Sequence, residues 1–203
     1  MSKRATEIAE EIRRLEKELR QEIQRIRVGT YEIRDRTIRF TDEALAVHRS
    51  QALGLLTYLR RAKLKHVISV PVIWFCLIPA VLMDIVVVLF QSLCFPLYGI
   101  PKVRRSDHVV LDRHQLRYLN VIEKINCLYC SYFNGVISFV REVAARTEQY
   151  WCPIKHATQL KNVHSRYHKF AEYGDGQQYR QDLPNIRQSF DDIRQDPDSN
   201  NHS

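Results

Sequence analysis

The sequence predicts an all-α, membrane-anchored protein with a long N-terminal helix and a small helical domain after the membrane segment. Three observations carry that expectation. The 35 residues Val67–Pro101 contain one charged side chain, Asp84. Clusters of Lys and Arg flank this apolar run on both sides. Outside it, apolar residues recur every three to four positions, the period that lines one face of a helix.

Residues 1–66 read as amphipathic helices. Ile8, Ile12, Leu15, Leu19 and Ile26 are spaced by fours, threes and sevens, which predicts a helix over residues 2–28 with one apolar stripe. That stripe packs either on this chain's own helices or, as a coiled coil of about three heptads, on a protein partner or a second copy. Val28-Gly29-Thr30 breaks the helix, and YEIRDRTIRF fits a strand or an extended helix equally. Thr41 or Asp42 then caps a second helix running to about His66, whose end, YLRRAKLKH, carries cations to the membrane surface.

Residues 67–101 are the membrane segment. A straight helix of that length measures about 52 Å, against a hydrocarbon core of about 30 Å, and two full passes need about 40 residues plus a turn. Two geometries remain. One is a single span of about Val67–Phe90 followed by an interfacial LCFPLYGIP; the other is a helix broken near Pro79 that enters and leaves on the same side. Arg60, Arg61, Lys63 and Lys65 precede the run, and Lys102, Arg104, Arg105, Arg113 and Arg117 follow it. That near balance gives the positive-inside rule little to act on and favours the re-entrant geometry, with both ends cytoplasmic. Asp84 at the bilayer centre costs about 2.5–3.5 kcal/mol, whereas the Val, Ile, Leu and Phe of the run return about 5–10 kcal/mol, so insertion wins. With no second ionisable group in the run, Asp84 reads as hydrated and idle, and Cys76 and Cys94 as small apolar fillers.

Charge and cysteine usage narrow the class. The net charge of +8 divides into 16 basic against 10 acidic side chains in residues 1–66, 12 against 5 in 102–170 and 3 against 7 from Ala171 onward. Cations beside an apolar run suit anionic lipid. No nucleic acid is expected as a partner, because the cations cluster next to that run and no nucleic-acid-binding module accompanies them. The N-terminal MSKRATEIAEEIRR has no apolar core of the kind a cleavable secretory signal needs. Five cysteines, two of them in the apolar run, do not form a secreted disulfide framework. They fit reduced thiols facing a cytoplasm, and hence an inner or cytoplasmic membrane.

Residues 102–170 read as a helical Cys/His domain. After a short connector over Pro101–Val110, Asp112 offers a cap for a helix through LRYLNVIEKINCLYC, Asn134-Gly135 marks a break, and VISFVREVAARTEQYW forms a second helix. Pro153 ends it and opens a last helix carrying His156, Leu160, Val163 and Tyr167. A hairpin of these helices would bring Cys127 and Cys130 to Cys152 and His156. Four such ligands suit a closed tetrahedral Zn(II) site. An iron–sulfur cluster, haem bound through Cys152 or His156, and a dithiol redox pair at Cys127 and Cys130 are weaker readings of the same residues. His164 and His168 form a second pair on a polar, solvated face; Asp112 with His114 and Glu142 with Glu148 lack the motifs that hydrolytic chemistry brings. Residues 171–203 read as an acidic, disordered tail.

The expected function is a membrane-anchored scaffold or regulatory protein with a structural metal site. A redox or metal-dependent enzyme using Cys127, Cys130 and Cys152 is the alternative, and a monotopic enzyme acting on lipid-linked substrates the third reading.

Overall fold

The computed structural model describes residues 31–34, 37–61 and 63–194, together with positions 4, 8, 11, 12, 14–19, 21 and 22. It is mostly helical. Those N-terminal positions are helical, and Ile8, Ile12, Leu15 and Leu19 lie exposed on the predicted spacing. Arg14 bridges Glu11 and Glu18, worth about 0.2–0.5 kcal/mol a pair on a solvated helix. Ile26 and the predicted break at Val28-Gly29-Thr30 lie outside the described residues.

The ambiguous YEIRDRTIRF forms a hairpin of β1 (Tyr31–Arg34) and β2 (Thr37–Phe40), antiparallel with Tyr31 opposite Phe40. Strand wins because the pattern alternates: Ile38 and Phe40 are half-buried while Arg39 faces solvent. Thr41 is the cap, its Oγ1 accepting the Ala44 N–H at 3.3 Å, and opens α1 (Asp42–Ser50). The helix expected to run on to His66 stops short. Gln51–Gly54 interrupts it before α2 (Leu55–Arg61).

The apolar run folds as α3 (Leu64–Phe75) and α4 (Leu77–Tyr98), interrupted at Cys76, three residues before Pro79. Proline acts one turn upstream of itself. It cannot donate to the carbonyl four residues back, and its ring crowds that carbonyl, here Phe75. Pro79 itself sits in the first turn of α4, where a missing N–H costs nothing. At the far end Gly99 adopts φ 66°, and the Ile100 N–H reaches the Phe95 carbonyl at 3.0 Å while the Gly99 N–H reaches Pro96 at 3.4 Å. This is a Schellman stop, sealed by contact of buried Ile100 and Phe95.

The stop reverses the chain. Residues 101–111 form a strap, with one short 3-10 turn at Arg105–Asp107, that runs back along α4 and then along α5 (Val121–Trp151). Gln91 binds Val103 through both backbone groups, at 3.0 and 3.3 Å. His108 meets Ser138 at 2.8 Å, and Arg146 donates to the carbonyls of Pro101 and Lys102. α5 begins later than expected, with Asn120 and Glu123 exchanging side-chain and backbone bonds at 2.9 and 3.1 Å in a reciprocal capping box. It then passes through Asn134-Gly135 without a break. Gly135 is there for the strap: a Cβ on it would lie 2.8 Å from both His108 O and Val109 Cα.

The helix expected after Pro153 does not form. That segment takes its backbone bonds from its own ends instead, Lys155 N–H to Ala171 O at 2.8 Å and Ala171 N–H to Pro153 O at 2.9 Å. Arg141 holds its middle by donating to the Val163 carbonyl. The segment expected to be a disordered tail contains α6 (Gly176–Gln188), capped by Asp175, and α7 (Asp191–Arg194). Ile186 and Phe190 are buried, and the fully buried Gln149 donates to the carbonyls of Ile186 and Ser189. The closing DPDSNNHS lies outside the described residues.

Chain contacts group into two compact units, each discontinuous in sequence. One takes the described residues of Met1–Ala62 together with Asp112–Cys127; the other takes those of Lys63–Leu111 and Leu128–Ser203. The core of the second is Phe95, Ile100, Val103, Phe139, Val143 and Phe190. Within the first, buried His48 sits edge-on to Phe40 and to Tyr118 at 4.9 Å each, and the Ile38 N–H donates to Gln115 Oε1 at 3.3 Å.

Candidate functional site

The 18-residue apolar window of the Leu64–Tyr98 helix has a mean hydropathy of 2.7 and is 11% buried within the protein, and that combination defines the site. Its length and composition suffice to cross a membrane. α3 is open on nearly every side, whereas α4 has two unlike faces. Ala80, Asp84, Gln91 and Phe95, at helical spacing, are buried against the protein. Ile78, Leu82, Ile85, Leu89, Leu93 and Leu97 are exposed on the other face.

Asp84 is not idle. Arg105, from the strap, grips its carboxylate with two arms, Nε to Oδ1 at 2.9 Å and Nη2 to Oδ2 at 2.6 Å, and Tyr132 of α5 donates to Oδ2 at 2.9 Å. A two-pronged, charge-assisted pair with a phenol also donating to Oδ2 satisfies a carboxylate that is only 7% exposed. It joins α4, strap and α5 at one point. Nothing at the sequence level named Arg105 or Tyr132 as its partners, which lie 21 and 48 positions away.

Aromatic side chains stand at both ends of α4. Trp74 and Tyr129 are 5.4 Å apart and Tyr129 stacks on Phe133 before the helix; Tyr98, Tyr150 and Trp151 cluster at its close. The Tyr129 hydroxyl donates to the Ile73 carbonyl at 2.8 Å, an acceptor near the proline break.

The four residues expected to share a metal are not brought together. α5 is continuous where a hairpin was expected, and Cys152 extends it, its N–H reaching Glu148 O at 2.8 Å. Cys130 and Cys152 are therefore about 33 Å apart along one helix, while thiolates on one zinc lie within a few ångströms of each other. Cys127 is half-buried and Cys130 and Cys152 are exposed; the His156 ring stacks on Tyr167. Among the described residues no group of three or more His, Cys, Asp and Glu is placed to hold a metal ion.

His164 also departs from expectation. It is half-buried rather than solvated: its Nδ1 accepts the Arg166 N–H at 3.2 Å, which places the proton of the neutral ring on Nε2, 3.1 Å from Glu148 but out of line for a hydrogen bond. Burial lowers its pKa below the ordinary 6.5 despite that carboxylate. Glu142 binds Arg146 and Ser165, and Asp192 binds Arg166 and Lys169. Together these groups fasten residues 153–171 to the rest of their unit.

No protein family, curated protein or solved structure matches this chain.

Proposed function

We propose that this protein works at a membrane surface as a helical scaffold or regulator, anchored through α3 and α4. One observation carries the anchor: a 35-residue apolar helical stretch whose most apolar window is 11% buried, when the core helix of a soluble protein would be mostly covered. The aromatic clusters at both ends of α4 support the same reading, since Trp and Tyr favour the boundary between headgroups and acyl chains. The stripe of Ile8, Ile12, Leu15 and Leu19 is the scaffolding element. Its heptad-like spacing and exposure suit a second copy of the chain. The thiols of Cys127, Cys130 and Cys152, outside the apolar run, would face the cytoplasm from the inner or cytoplasmic membrane. An enzyme built on Cys127, Cys130 and Cys152 gains no support from a helix that holds Cys130 and Cys152 about 33 Å apart.

The test is extraction. The protein should remain with the membrane pellet after alkaline carbonate and high-salt washes and leave it only with detergent, because apolar burial dominates over headgroup attraction. Release by salt alone would refute the anchor.

A further inference from the structure

The contacts of His48 with Tyr118 and of Ile38 with Gln115 bear on more than packing. We infer that α3 and α4 form a monotopic insert, entering one leaflet of an anionic phospholipid bilayer and returning to the same side, with α4 lying in the plane of the interface. This rests on the membrane attachment proposed above and adds its geometry.

Three features lead there. The apolar run joins residue 63 to residue 101, yet the chain on its two sides meets in one compact unit: Ile38, Phe40 and His48 come before the run, Gln115 and Tyr118 after it. A single crossing would put about 30 Å of hydrocarbon between groups that touch. No other described helix is long and apolar enough to carry the chain back.

The second feature is the strap. It follows α4 closely, with Val103 bonded at Gln91 and Arg105 at Asp84, and it exposes Lys102, Arg104 and Asp107. Irregular backbone with exposed charges is not tolerated against lipid at hydrocarbon depth. Were α4 upright across the bilayer, that depth is where the strap would run. Laid flat, α4 turns Leu82, Leu89, Leu93 and Leu97 into the acyl region by roughly 5–10 Å. The strap then stays at headgroup level.

The third feature is charge at that level. Lys102 and Arg104 on the strap and Lys63 and Lys65 at the start of α3 are exposed, which suits anionic rather than zwitterionic headgroups.

The experiment measures depth along α4. In a chain with all five cysteines replaced by Ser, a nitroxide is attached in turn at Leu82→Cys, Leu89→Cys, Leu93→Cys and Leu97→Cys, all exposed positions. Its accessibility to oxygen and to a water-soluble nickel complex is read in vesicles of phosphatidylglycerol and phosphatidylcholine. A flat helix gives the four labels one common depth. An upright helix spreads the first and last over about 22 Å and would overturn the inference while leaving the membrane attachment standing. Labels that stay fully aqueous would overturn both. The native chain supplies an independent reading: tags at Met1 and Ser203 in sealed membrane vesicles should be digested from the same side, and digestion from opposite sides would overturn the monotopic geometry.

Discussion

Removing either half of the Asp84–Arg105 pair should have unequal consequences, because the two groups are unequally buried. Asp84 is 7% exposed, whereas the Arg105 side chain is 41% exposed. Arg105→Ala strands a carboxylate against protein with Tyr132 as its remaining donor. Stranding a fully buried charge costs about 3–5 kcal/mol, and partial access of water through the space Arg105 leaves brings this to about 2–3 kcal/mol. In Asp84→Asn the guanidinium can swing into solvent and the amide can keep a bond from Tyr132, so the loss is that of charge-assisted hydrogen bonds, about 1–2 kcal/mol. The double variant Asp84→Leu/Arg105→Leu should cost less than Arg105→Ala alone, since it leaves no charge behind. Urea unfolding in a mild detergent, followed by near-ultraviolet circular dichroism, measures all three. A loss for Asp84→Asn equal to or greater than that for Arg105→Ala would refute the reasoning, because it would mean that the arginine, not the carboxylate, is the group that cannot return to water.

Further outcomes are expected. Gly135→Ala gains about 1 kcal/mol of helix propensity but drives a methyl into the strap backbone at 2.8 Å, an overpacking cost of about 1–3 kcal/mol, so a thermal melt should show a net loss. Phe139→Ala empties a fully buried core position and should cost about 3–5 kcal/mol by the same melt. Because burial holds the His164 pKa below its unfolded value, the unfolded chain takes up a proton first as pH drops through about 6.5, and stability should fall from there toward the folded pKa; His164→Gln should flatten that part of a Tm-against-pH curve. If the Ile8–Leu19 stripe pairs two copies as proposed, Leu15→Asp should lower the oligomeric state seen by sedimentation in detergent and leave retention in the membrane pellet unchanged.

The apolar run, the Thr41 cap and the heptad-like spacing of Ile8 to Leu19 were legible in the sequence because each is set by neighbours within a turn or two. What was illegible came from distance. The strap carries no local signal, since its bonds go to Gln91, Asp84 and Arg146, and with those partners unseen Asp84 looked solitary. Asn134-Gly135 has the form of a turn, but glycine there serves the close approach of Val109, a tertiary demand that overrides a local propensity. Reading a break at that point created the hairpin on which the four-ligand zinc site depended. The tail misled through its average: its polar composition concealed Leu183, Ile186, Phe190 and Ile193, spaced to line one side of a helical segment.

Phe95, Ile100 and Val103 belong at once to the apolar helix α4, to its glycine stop and strap, and to the core that Phe139 and Phe190 complete. Many anchored proteins can be trimmed of their membrane helix to leave a soluble body. Here the cut would remove a wall of the house: a chain lacking residues 64–98 loses Phe95 from the core and leaves the strap without the helix it is bonded to. Such a truncation should yield aggregated rather than soluble protein, and the anchor and the body should be made, purified and lost together.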